Sequence, residues 1–237
     1  ASKLVVVTDM PSTVQSGLTF SPAVRLQVQD TYSNPVLDSV TTISATAVTS
    51  NVLSIAGATV SNTLGSSFID VPNLAVTAKA GTTQLRFTAT NAGASINATS
   101  ITTSQFAVVA GGAYALSVSP TTMTVANRAT LSDIAVTVVD TAGNPIPDSA
   151  AQITAAASGV TLSGTAIRFA SSGVATYSGL VLSGGAGTYN IGFSSNGLLA
   201  STVSVTVAHG EASYVTITTS ATAKNAQALA SQVLSGR

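Results

Sequence analysis

Four aspartates stand in two pairs with the same spacing. Asp30 and Asp38 lie in "DTYSNPVLDS" (30–39); Asp140 and Asp148 lie in "DTAGNPIPDS" (140–149). Carboxylates eight residues apart, next to an Asn, are the oxygen ligands that calcium takes. Calcium needs six to eight oxygens, however, and each segment offers two carboxylates without an EF-hand loop. The competing reading is a turn. Gly143, Asn144 and Asn34 tolerate left-handed backbone, and Pro35 and Pro145 forbid a helix. Asp30 and Asp140 can each close the turn with their own side chains. The turn is the preferred reading. No cofactor is expected, and calcium on Asp30, Asp38, Asp140 and Asp148 is the one metal candidate.

Other chemistry is sparse. His209 is the only histidine, and no Gly-x-Ser-x-Gly context accompanies it, which disfavours a Ser-His-Asp hydrolase. The absence of cysteine excludes thiol catalysis, Cys-bound zinc and disulfides. "AGGA" (110–113) and "SGGAG" (183–187) lack the Gly-x-Gly-x-x-Gly spacing and the Walker lysine of phosphate cradles. Asn97-Ala98-Thr99 is the sole N-glycosylation sequon and makes Asn97 a glycosylation candidate. With no acid–base pair and no metal cluster, the chain reads as a non-enzyme.

The elements that carry these residues are strands. Apolar residues alternate with polar ones in Arg25–Asp30, where Leu26 and Val28 share one face. Leu85, Phe87 and Ala89 alternate likewise, as do Ile134, Val136 and Val138, and Val203, Val205 and Val207. Gly, Asn and Pro clusters separate the runs. On the same periodicity Phe20, Phe68, Phe87, Phe106, Phe169, Tyr177, Tyr189 and Phe193 are read mostly as core, and Tyr32, Tyr114 and Tyr214 as near-surface.

The pattern occurs twice. "GTTQLRFTATNAG" (81–93) returns as "GTYNIGFSSNG" (187–197), and the decapeptide returns about 110 residues on. The opening "ASKLVVVTD" (1–9) returns as "GGAYALSVSP" (111–120) and a third time as "GEASYVTITT" (210–219). Repeats 1–111 and 112–209 follow, with 210–237 as the incomplete start of a third. About seven short strands per repeat predict an all-β fold of tandem immunoglobulin-like sandwiches. The links "AGGA" and "AHGEA" (208–212) leave little play, so the repeats are expected to stack into a rod. Two strands cannot close a sandwich, so the chain is expected to be a piece of a longer repeat array, or else another chain supplies the strands missing from 210–237.

Composition bounds the surroundings. Hydrophobic residues make up 45% and charged residues only 7%, with zero net charge. A typical soluble domain is about 25% charged. Nothing basic is offered to nucleic acid or anionic lipid, and no run is long and apolar enough to span a membrane. So uncharged a surface associates readily, which suits one coated with glycans or packed against copies of itself.

Pro11, Gly17, Phe20, Asp30, Asn34, Pro35, Asp38, Gly57, Gly65, Phe68, Leu74, Gly81, Leu85 and Phe87 form a recurring signature. Asp140, Gly143, Asn144, Pro145, Asp148, Gly164, Gly173, Leu180, Gly187, Ile191 and Phe193 repeat it, with Leu131 replacing Phe20. This signature resembles bacterial Ig-like repeats of invasin and giant-adhesin type, which are similar to the sandwich repeats of large extracellular filament and flagellar-hair proteins. The resemblance implies a spacer, adhesive tip or filament subunit at the cell surface. The expected role is the rod or shaft of a surface filament, with copies of itself or other filament subunits as partners. The alternative is the stalk or tip of an adhesin that binds a host or glycan ligand.

Overall fold

A computed structural model describes residues 3–38, 40–91 and 100–209. Asn97, Tyr214 and the start of the third repeat lie outside the described residues. Every regular element among the described residues is a β-strand.

The first repeat is a sandwich. One sheet orders Lys3–Thr8, Val24–Gln29 and Phe68–Val71. The facing sheet orders Ser100–Thr102, Leu85–Asn91, Thr41–Ala47 and Thr59–Ser61. A third group, Thr13–Gln15, Phe106–Val109 and Gly81–Thr83, runs beyond it. The second repeat has the same plan. Ala115–Ser119, Ile134–Val139 and Val174–Tyr177 form one sheet. Thr122–Ala126, Ser201–Ala208, Gly187–Ser194, Gln152–Ala157 and Ile167–Phe169 form the other.

Among the described residues nearly all strand pairs are antiparallel. The exceptions are Thr13–Gln15 with Phe106–Val109, and Thr122–Ala126 with Ser201–Ala208, which run parallel. In each repeat the opening strand begins in one sheet and finishes beside the last strand of the other. That switch, with two sheets around one core, is immunoglobulin-like. It also fixes function-relevant geometry: the chain enters a repeat at one end and leaves at the opposite end, beside the turn after the opening strand. The parallel register sets Val109 next to Gln15, and the Ser16 N–H donates to the Val109 carbonyl (3.0 Å).

Two separate cores fill the sandwiches. Leu26, Val28, Leu85, Phe87 and Ala89 are buried in the first, as their alternation predicts. Ile134, Val136, Val138, Val203, Val205 and Val207 are buried in the second. Phe20 meets Phe106 edge-on at 5.7 Å in one core, and Tyr177 meets Phe193 at 5.0 Å in the other. Leu131 occupies the Phe20 position and is equally buried.

Two aromatics depart from expectation. Phe68 is 42% exposed because Ile69 and Val71 take the inward phase of its strand. It lies under the Arg25 guanidinium (5.4 Å), which also pairs with Asp70 on the open face. Phe169 is 66% exposed on the edge strand Ile167–Phe169, whose apolar residues occupy the outward phase. Tyr32 and Tyr114 are exposed as read.

Tyr177 is buried, and its hydroxyl donates to the Ile153 carbonyl at 2.6 Å. Tyr177→Phe keeps the ring contact with Phe193 and gives up the hydroxyl's bond to that carbonyl. It should lower the second repeat's stability by about 1–2 kcal/mol, read by urea unfolding. Stability equal to the wild type would show that water replaces the lost donor.

Candidate functional site

The two decapeptides fold into the same turn. The Asp140 N–H donates to the Asn144 carbonyl (3.0 Å), and the Gly143 N–H donates to the Asp140 carbonyl (3.0 Å). One Asp140 oxygen accepts the N–H groups of Ala142 and Asn144, each at 2.8 Å; the other accepts the Asn144 side-chain amide at 2.8 Å. Asp30 does the same with Tyr32, Asn34 and the Asn34 amide, at 2.8, 2.8 and 3.0 Å. After each turn the proline resumes pairing, Gln29 opposite Pro35 and Val139 opposite Pro145. An aspartate that closes the turn, a left-handed residue and a proline are the ingredients of this bend.

What differs is the environment. Asn34 is exposed and Asp30 half-buried, whereas Asp140 is 2% and Asn144 4% exposed. The second turn is buried because the first repeat sits on it. The Ala80 N–H donates to Asn144 Oδ1 (2.8 Å), and Asn144 Nδ2 donates to the Ala78 carbonyl (2.9 Å). A carboxamide offers one acceptor and donors on neighbouring atoms, as a peptide group does. Asn144 therefore docks on the loop 78–80 as a short length of strand would. The third bond comes from the link: the Gly111 N–H donates to the second Asp140 oxygen (2.8 Å).

The receiving loop is itself held. Ser16 Oγ accepts the Ala78 N–H (3.1 Å), and the Lys79 N–H donates to the Asn51 carbonyl (2.9 Å). The Asn51 amide reaches the Lys79 carbonyl (3.1 Å) and Thr83 Oγ1 (2.7 Å). Small residues allow the approach. A Cβ on Gly111 would overlap the Ser16 carbonyl oxygen, and one on Gly143 would stand 2.8 Å from Lys79 Nζ. A shallow groove of about 390 Å³ flanks the joint, lined by Leu18, Tyr114 and Thr141 among others.

Burial alone would push the Asp140 carboxyl up. The N–H donors of Gly111, Asn144 and Ala142 outweigh it and hold the group below the ordinary carboxylate range. The Asn34 side chain, foremost, does the same for Asp30.

The calcium candidates part company here. Asp38 and Asp148 are exposed, and no group of three or more His, Cys, Asp or Glu comes together among the described residues. Both Asp140 oxygens are surrounded by N–H donors, whose positive ends would repel a cation. Adding calcium, or chelating it, should leave the melting temperature of both repeats unchanged. A clear rise with calcium would restore the metal reading. His209 is exposed at the end of the last strand.

Sequence reading located the turn and missed its partners. Ser16, Asn51, Ala78, Lys79, Ala80 and Gly111 carry no motif. The available signal was size: the buried turn has Ala142 and Gly143 where the exposed one has Tyr32 and Ser33.

No protein-family model matches this sequence, and no curated protein is similar enough to count as a relative. Similar solved structures do exist. The D0-D1 domain of intimin shares 14% identity, with 86% of this chain and 98% of that chain covered and a TM-score of 0.31. Invasin, a bacterial integrin-binding protein, shares 18% identity over 87% of this chain and 39% of that chain (TM-score 0.31). A β-glucuronidase of Parabacteroides merdae shares 14% identity over 88% of this chain and 25% of that chain (TM-score 0.31). This chain thus spans nearly all of the intimin fragment but a minority of the other two.

Proposed function

We propose that this chain is an extracellular structural protein whose Ig-like repeats form the shaft of a cell-surface filament or appendage. The observation that carries this reading is the joint between the repeats. A boundary meant to swivel would be solvated; this one buries an Asp–Asn pair and makes three hydrogen bonds across it. A shaft needs its modules held at fixed angles, and the low charge suits a surface packed beside its own copies.

Residual dipolar couplings on the intact chain test the reading. A rigid joint gives both repeats one common alignment tensor. Two independent tensors of different magnitude would overturn the shaft function.

A further inference from the structure

The second repeat's turn is half of a joint, and the first repeat presents the same half on its surface. Asp30 and Asn34 hold the geometry of Asp140 and Asn144 bond for bond. Among the described residues, Asn34 Oδ1 meets no protein group, although its counterpart on Asn144 accepts the Ala80 N–H. Around it, Tyr32 is 86% exposed and Leu37 is also exposed.

The far end of the second repeat carries the other half. Gly184, Gly185 and Ala186 stand where Ala78, Lys79 and Ala80 stand in the first repeat. Asn127 Oδ1 accepts the Gly184 N–H (3.1 Å) as Ser16 Oγ accepts that of Ala78. Arg128 takes the left-handed backbone of Gly17 (φ 66° and 79°), and the bridge between Thr130 and Val181 matches that between Thr19 and Ala75.

We infer that these ends dock on each other between copies, the Asp30–Asn34 turn of one chain seating on the loop 184–186 of a second. Side-chain sizes favour this occupant. A Cβ on Gly143 would stand 2.8 Å from Lys79 Nζ; its counterpart Ser33 carries that Cβ, and it would face Gly185, which has no side chain. Tyr32 stands in place of Ala142 and Gly184 in place of Ala78, the larger residue on the turn and the smaller on the loop. Charge agrees as well. Gly17 faces Thr141, so Arg128 would face Thr31, next to Asp30. Two different surfaces that complement each other make a heterologous, head-to-tail contact, and with the two halves at opposite ends of the chain it extends the molecule into a linear fibre.

This deepens the shaft reading by naming the contact that lengthens the shaft. A contact of this size associates weakly, so the full chain is titrated to ~1 mM in small-angle scattering and sedimentation equilibrium. The expected result is growth in maximum dimension by whole chain lengths. Asn34→Ala removes the turn's amide; Gly185→Lys restores a lysine opposite Ser33. Each should weaken association about tenfold or more, the loss of two hydrogen bonds or of the fit. Gly185→Lys should keep the wild-type melting temperature, since a Cβ at 185 meets nothing nearer than the Tyr189 hydroxyl at 3.8 Å, and Asn34→Ala, which gives up one exposed hydrogen bond to Asp30, should lower it by a few degrees at most. Monomers throughout would overturn the inference. So would lateral dimers, for example along the Ile167–Phe169 edge, or association indifferent to both substitutions. Neither outcome touches the shaft reading, because the single-tensor measurement is made on dilute, unassociated chains.

Discussion

Asn144→Asp, a change of one atom in the side chain, should cost about 3–5 kcal/mol and uncouple the repeats. The carboxamide donates to Asp140 at 2.8 Å and to the Ala78 carbonyl at 2.9 Å. An introduced carboxylate has nothing to donate. It would set one negative charge against another within hydrogen-bonding distance, in a place almost closed to water. The joint would open so that water could reach both charges. Differential scanning calorimetry is the check: two separated transitions in place of a coupled one.

The pH dependence supplies an independent sign. In the wild type, Asp140 is depressed by its N–H donors. Its stabilisation is present above an unfolded value of about 3.9 and is lost as pH falls through the lower folded value. In the Asn144→Asp variant, the two facing carboxylates raise the pKa of one of them. Protonating that group restores a donor, so the variant should gain stability on mild acidification where the wild type is flat. A variant that tracks the wild type from pH 7 to 4 would show that these two side chains do not face each other.

The limits of sequence reading here have a physical origin. Alternation in Leu85–Ala89 and Val203–Val207 reports one buried face per strand, so both cores were legible without coordinates. Phe68 was not, because an aromatic can satisfy its ring with an arginine on the open face as well as in a core. The duplicated decapeptide was legible as a turn because its hydrogen bonds are local, from Asp140 to residues within four positions. Its role as a joint was not legible from those bonds, because the exposed copy makes the same ones. The distinction lies across the boundary, in loop 78–80, more than sixty residues away in the chain. Only the contrast of Ala142–Gly143 with Tyr32–Ser33 hinted that one copy is covered.

Gly111→Val tests the joint from the link. Any Cβ here overlaps the Ser16 carbonyl oxygen, and that oxygen belongs to backbone tied down on both sides. Ser16 donates its N–H to Val109, and the next residue, Gly17, donates to the Val76 carbonyl (2.8 Å). The receiving backbone therefore cannot retreat cheaply, and the link must move instead. Moving it withdraws the Gly111 N–H from Asp140, leaving a buried carboxylate one donor short. The combined cost is about 2–3 kcal/mol, from overpacking and the lost charge-assisted bond. It cannot exceed the energy of the joint, because the two sandwiches escape the penalty by parting. The cores should therefore be untouched: each repeat still unfolds cooperatively, in a transition of its own in place of the coupled one. What should change is their mutual order, with two alignment tensors in place of one and faster amide exchange at Ala80. Gly111→Ala carries the same overlap with less bulk and should fall between the two. If the valine variant kept a single tensor and a protected Ala80, the contact at Ser16 would not be what holds the repeats in line.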